Sequence, residues 1–184
     1  MKEMQVCEIW SVLKTSHGNA ILLKPVNMEV AVPVFIGALE LQSILIGKEG
    51  KGLSRPLTHD LFINMLLQVN LSVKKAEVYE LKDDIFHARL IITGGEYAND
   101  NPLVLDSRPS DAFAIAVRTK CPICLASSII EQTGVSTSFF IDELEEDYED
   151  KYTSLREQLE QAVAEEEYEQ AAEIRDLLKM LEEE

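Results

Sequence analysis

The sequence predicts an α+β protein: a compact mixed-sheet domain with packed helices, followed by a C-terminal antiparallel helical hairpin. Through residue 135, short β-rich runs bounded by turn residues alternate with helical stretches. One of those stretches, Ala112–Val117, is apolar all round and belongs inside. From Phe139 onward Glu and Asp dominate, Gly and Pro vanish, and helix formers fill the chain.

Taken in order, Val6–Leu13 reads as a strand, Ser16–Asn19 as a turn and Ala20–Lys24 as the hairpin partner. Val30–Ile36 is a third strand, and Pro33 within it marks an edge or a bulge. Gly37 opens a helix with Leu39, Leu41, Ile44 and Leu45 at near-helical spacing, and Leu39 and Leu41 predict partial burial of Glu40. The Gly47–Pro56 loop lacks the spacing of a phosphate loop. Thr58 is the expected N-cap of the next helix, which carries Leu61, Phe62, Met65, Leu66 and Val69. Strands over Lys75–Leu81 and Ile85–Thr93 flank Asp83–Asp84, and Asn99–Pro102 is turn chemistry before a short strand, Leu103–Asp106. Pro109 and Asp111 then start the buried helix, and Pro122–Ala126 is the last expected strand.

The organisation expected is a domain over 1–135, an acidic linker or helix over 136–152 and a helical hairpin over 153–184. In the hairpin, Leu155, Leu159 and Ala162–Val163 form one apolar stripe, and Ala171, Ile174, Leu178 and Leu181 another. A break near Glu166–Tyr168 folds one onto the other. Two short helices bury little alone, so the hairpin is expected to need a partner surface.

The 184 residues carry a net charge of −16, unevenly spread. From Glu143 to the end there are 17 acidic and 4 basic residues, leaving 16 and 13 in the rest. The body is nearly neutral, so the electrostatic case against a nucleic-acid partner applies to the tail. Lys48, Lys51, Arg55 and Lys74–Lys75 are the basic residues placed to touch phosphates. The uncharged run Ala31–Leu39 is too short to span a bilayer, and the first ten residues lack a signal-peptide core. With only three cysteines, these features predict a cytoplasmic protein with no membrane partner. Cys121 and Cys124 read as buried small residues, since positions i and i+3 of a strand face opposite ways.

Polar residues gather at strand-to-helix junctions. One cluster is Arg55, Thr58, His59 and Asp60; the other is Asp106, Arg108, Ser110 and Asp111; Glu40 is a third candidate. Helix N-termini attract anions, and carboxylates such as Asp106 and Asp111 can hold Mg²⁺ or Mn²⁺. An arginine can stabilise a phosphoryl transition state and a histidine can move a proton near neutral pH. Those residue types suit metal-assisted phosphodiester cleavage: His59, Asp60, Asp106, Arg108, Asp111 and Glu40 catalytic, with Arg55, Thr58, Ser110 and Lys51 binding substrate. A plainer reading stands beside it, in which Asp60 and Asp111 complement helix dipoles and Asp106 pairs with Arg108.

Val32–Glu40 (VPVFIGALE), Arg55–Leu61 (RPLTHDL) and Leu105–Arg118 (LDSRPSDAFAIAVR) together resemble the bifunctional nuclease domain family over roughly Met4–Glu131. The resemblance implies a compact, usually self-associating α/β domain with activity proposed on DNA and RNA. It points to Glu40, His59, Asp60, Asp106, Arg108, Ser110 and Asp111. Leu41 and the cysteines at 121 and 124 depart from the family's usual residues. Leu159–Leu181 resembles a UVR motif, the helical hairpin of nucleotide-excision-repair proteins, which implies a protein partner or pairing with another copy. Two functions follow: a nuclease acting on nucleic acid, or a non-enzymatic adaptor working through the hairpin.

Overall fold

The computed structural model describes residues 3–15, 18–50, 54–95, 97, 101–165 and 167–182. Ser16–His17, Lys51, Asn99–Asp100 and Glu166 lie outside the described residues, as does the side chain of Leu181. The chain divides into two compact units, Met1–Ser136 and Thr137–Glu184.

The first unit is built on one mixed sheet. Its strands are β1 (Met4–Thr15), β2 (Gly18–Pro25), β3 (Val30–Ile36), β4 (Leu71–Lys82), β5 (Ile85–Gly94), β6 (Leu103–Ser107), β7 (Ile123–Ala126) and β8 (Val135–Ser136). They lie in the order β6-β5-β4-β7-β1-β2-β3-β8. Every pairing is antiparallel except that of β7 with β4. Strands β1, β2 and β4 run two to five residues beyond their sequence expectations, β5 and β6 one residue beyond, β3 matches and β7 begins one residue later. Pro33 sits opposite Leu22 and beyond the two residues that β8 reaches, so its missing N–H falls on an unpaired edge. Asp83 and Asp84 join β4 to β5 with φ of 50° and 60°. Two consecutive left-handed residues match the twist of a tight hairpin, and Asp tolerates that region better than most side chains.

Helices α1 (Ala38–Glu49), α2 (Thr58–Gln68) and α3 (Pro109–Thr119) accompany the sheet. Central α3 packs on β4 and β5 and against α1 and α2. Its residues Ala112–Ala116 are all buried, as an all-apolar helix requires. The alanines and Gly47 let α1 approach closely: a Cβ at Gly47 would stand 2.8 Å from Val117 Cγ2. The flanking helices bury less than their apolar residues suggest. On α1 Leu41 and Ile44 are buried while Leu39 and Leu45 face solvent; on α2 only Leu66 is buried, with Leu61, Met65 and Val69 exposed. Thr58 is not the N-cap of α2. Leu57 takes that place because Asp60, three residues on, accepts its N–H at 2.8 Å. Short α4 (Ser127–Thr133) and β8 were not expected; each is too brief to give a periodic signal.

The second unit is a helical hairpin, α5 (Thr137–Ala164) and α6 (Tyr168–Glu182). The backbone of α5 runs unbroken through the segment read as an acidic linker or helix. At the turn the Glu167 N–H donates to the Ala162 carbonyl at 2.9 Å, closing the end of α5. Ala162, Ala171 and Ile174 are buried between the helices, with Leu155, Leu159 and Leu178 against them. Val163, expected in the stripe, is instead 52% exposed.

Candidate active site

Three helix starts converge, each placing a charged side chain in its first turn. On α1, Gly37 is the N-cap and Glu40 follows. A Cβ at Gly37 would collide with the Glu40 carboxylate, so glycine lets that carboxylate fold back over the helix start. On α2 the first turn presents His59 and Asp60. On α3, Arg108 is the N-cap, Pro109 fixes the first helical φ, and Asp111 sits in the first turn.

These residues form one continuous chain of hydrogen bonds. Arg108 Nε donates to Asp111 Oδ2 at 2.9 Å and Nη2 to Oδ1 at 3.3 Å, a two-pronged contact. Arg108 Nη1 reaches Glu40 Oε1 at 3.2 Å. On the other side, His59 Nε2 lies 3.4 Å from Asp111 Oδ1, and His59 Nδ1 lies 3.0 Å from Ser43 Oγ. Ser43 links to Arg118, whose Nη1 donates to the Ser43 carbonyl at 2.9 Å and to the Ala114 carbonyl at 2.8 Å. Arg118 Nε donates to Asp60 Oδ1 at 2.8 Å. The chain therefore runs Glu40–Arg108–Asp111–His59–Ser43–Arg118–Asp60 across α1, α2 and α3.

Its electrostatics are consistent. Burial pushes the Asp111 carboxyl up, but bonds from Arg108 and His59 and the nearby positive charge outweigh it, leaving the group below the usual carboxylate range. Asp60 is also held low: burial is outweighed by the Leu57 N–H, by Arg118 and by His59. Asp111, followed by Glu40, raises Arg108 above its ordinary value. Both aspartates are thus anionic at neutral pH. A neutral His59 would carry its proton on Nε2 toward Asp111 and accept from Ser43 on Nδ1.

Of the residues expected from sequence, Glu40, His59, Arg108 and Asp111 come together directly, and Asp60 joins through Arg118 and Ser43. Ser110 is buried and lines a cleft of about 360 Å³ beside Arg108, together with Val34, Phe35, Gly37, Glu40 and Phe86. Arg55 and Thr58 are exposed and make no bond to the chain. Asp106 does not join either. It lies opposite Arg89 in register, and Arg89 lies opposite Glu77, so all three share a sheet face. The neighbouring row, Leu105–Leu90–Ala76, faces the buried core. Strand alternation thus turns Asp106 away from α3.

Mg²⁺ or Mn²⁺ held by Asp106 and Asp111 does not fit this arrangement. The two carboxylates diverge, and both Asp111 oxygens are engaged by Arg108. Among the described residues no three His, Cys, Asp or Glu side chains group to hold an ion.

Sequence reasoning missed Ser43 and Arg118. Helical spacing could have found them: Ser43 is three residues after Glu40, and Arg118 seven after Asp111, each on the same helix face as that carboxylate. The cysteines are free thiols, all raised by burial, Cys7 to about 12, which suits core packing rather than redox chemistry.

Such a domain, a mixed sheet whose helix starts gather carboxylates, an imidazole and guanidinium groups, belongs among α+β proteins with an acid–base cluster at converging helix ends. The family is more specific. Residues 21–138 match the bifunctional nuclease domain, and residues 149–184 match the UvrB/UvrC motif. The chain belongs to the bifunctional nuclease domain family. It is 30% identical to the uncharacterized proteins MT1877 and Rv1829 of Mycobacterium tuberculosis, over 73% of this chain and 77% of theirs. It is 29% identical to bifunctional nuclease 1 of Oryza sativa subsp. japonica, over 67% of this chain and 34% of that protein. No helix among the described residues is long and apolar enough to cross a membrane.

Proposed function

We propose that this chain hydrolyses phosphodiester bonds of DNA or RNA at the Glu40–Arg108–Asp111–His59 cluster. The observation carrying this reading is the continuous hydrogen-bonded chain that joins an open guanidinium to an imidazole through one carboxylate. Membership of the bifunctional nuclease domain family supports it. Arg108 is 66% exposed and uses three of its five N–H donors within the cluster, so its outer edge can meet a phosphate. Glu40 takes the proton of the attacking water. His59 in its protonated form turns Nε2–H from Asp111, 3.4 Å away, to the leaving oxygen and gives up that proton, while Nδ1–H stays on Ser43. Arg108 offsets the charge that builds on the phosphoryl oxygens.

The test is cleavage of labelled RNA and single-stranded DNA by the full chain, with Mg²⁺, with Mn²⁺ and with chelator. His59→Ala should lose at least about 100-fold in rate, while Asp106→Ala should cut as the parent does. Cleavage unaffected by His59→Ala would refute the assignment. Dependence on added metal together with loss in Asp106→Ala would restore the metal site expected from sequence.

The UvrB/UvrC motif supports a protein-binding role for the hairpin. Val163, Tyr168 and Leu177 are exposed on it, and a second copy of the chain, pairing through residues 153–184 in the cytoplasm, is the proposed partner. Sedimentation of the full chain against one ending at residue 142 tests it; the same number of copies per particle in both would sink it.

A further inference from the structure

We infer that the cleft beside Arg108 is a subsite for one unpaired nucleobase, so the chain takes single strands rather than duplexes. This rests on the nuclease reading above. The cleft lies between the end of β3, the start of α1, the β4–β5 turn and the start of α3. Its volume, about 360 Å³, is at the small end for ligand pockets and admits one nucleotide-sized group. Duplex DNA presents stacked, paired bases and would have to extrude one to enter.

The lining is aromatic and apolar where a base would lie. Phe35 and Ile85 line the cleft while remaining 59% and 61% exposed, and Phe86 adds a second ring. Exposed rings beside a basic group are stacking platforms that any unpaired base can use. The charges within the lining are unsuited to a phosphate. Glu40 and Asp84 contribute carboxylates, and Arg108 already bonds Glu40 and Asp111. The only charge-compatible arrangement puts the base inside and its phosphate at the solvent edge of Arg108. The Asp84 carboxylate accepts hydrogen bonds and donates none, so it favours a base edge with an amino group, such as cytosine N4, over the O4 of thymine.

The experiment measures binding of fluorescent dC10, dT10 and a mixed-sequence duplex to the full chain by anisotropy at low salt, with cleavage of the same strands followed in parallel. Binding should fall in the order dC10, dT10, duplex, with dC10 ahead of dT10 by about fivefold or more. Phe35→Ala, at an exposed position, should weaken dC10 by roughly 5- to 100-fold with an unchanged melting temperature. Asp84→Asn keeps a residue at ease in the left-handed turn and should shrink the dC10 preference. Cleavage with equal affinity for duplex, or without effect of Phe35→Ala, overturns the subsite and leaves the nuclease reading standing. Binding in the expected order without cleavage keeps the subsite and removes the nuclease. No binding to any strand overturns both.

Discussion

Arg108 and Arg118 bracket the same helix, and each bonds a carboxylate from the helix-start cluster. At the C-terminal end of α3, Arg118 is 7% exposed and is tied to Asp60, to two carbonyls and to Ser43. At the N-terminal end, Arg108 bonds Asp111 and Glu40 and is otherwise open to solvent. The same charge thus does two jobs. Buried, with four of its five N–H groups bonded, it fastens α1 and α2 to α3. Exposed and partly bonded, it keeps donors for something else. A triad around a buried carboxylate shows the same structural kind with the charges exchanged: Glu77, 3% exposed, is held by Lys75 at 2.6 Å and Arg89 at 2.7 Å on the far sheet face.

The contrast can be broken most forcefully at Arg118. Arg118→Met should cost about 2 kcal/mol of stability, because Asp60 loses its charged partner and α1 and α2 lose their shared tie to α3. Trp10, the only tryptophan and a β1 residue, reports unfolding of the first unit in denaturant. A loss under about 1 kcal/mol would show that Arg118 fastens nothing. Arg108→Met should behave in the opposite way, with an unchanged melting temperature and roughly 100-fold slower cleavage. Equal loss of stability at both ends would erase the distinction.

Gly47→Ala sharpens the comparison at intermediate size. Alanine in a helix interior normally adds stability, about 0.5–1 kcal/mol over glycine. Here its Cβ would press on Val117 and on Arg118 Nη1, 2.5 Å away. The sign should reverse, with a net loss of about 1 kcal/mol measured by the same denaturant series. The smallest effect is expected in acid. Asp60 and Asp111 titrate below their ordinary value of 3.8 when folded, so the unfolded chain binds more protons in that range. Their stabilisation is full above 3.8 and fades as the pH drops through the lowered values. Asp60→Asn and Asp111→Asn should each flatten the acid limb of stability against pH; an unaltered limb in both would disprove the linkage.

How far the sequence could carry these conclusions depended on the range of each interaction. Helix α3 was legible because Pro109, Asp111 and the run Ala112–Val117 are local signals that agree. The meeting of Glu40 and His59 with Asp111 was not, because it depends on how closely α1 approaches α3, which Gly47 decides from another helix. Asp106 was misplaced for a different reason. Leu103, Val104 and Leu105 are apolar on both faces of β6, so no alternation showed which way the next side chain turns. At α2, propensity favoured Thr58 as the cap, while the reach of Asp60 back to Leu57 settled the boundary one residue earlier.

The single parallel pairing of the sheet also sets an order on assembly. Strands β1–β3 form one antiparallel ribbon and β4–β6 another, each from neighbouring chain segments. Only β7 joins them, pairing with β1 on one side and β4 on the other. A chain emerging from the ribosome can zip each ribbon as it appears, since local contacts close quickly. Their strands become one sheet only when Ile123–Ala126 has been made. Helix α3, made just before β7, packs on β4 and β5 and against α1, so the helix-start cluster and the sheet's seam are completed by consecutive segments of the chain.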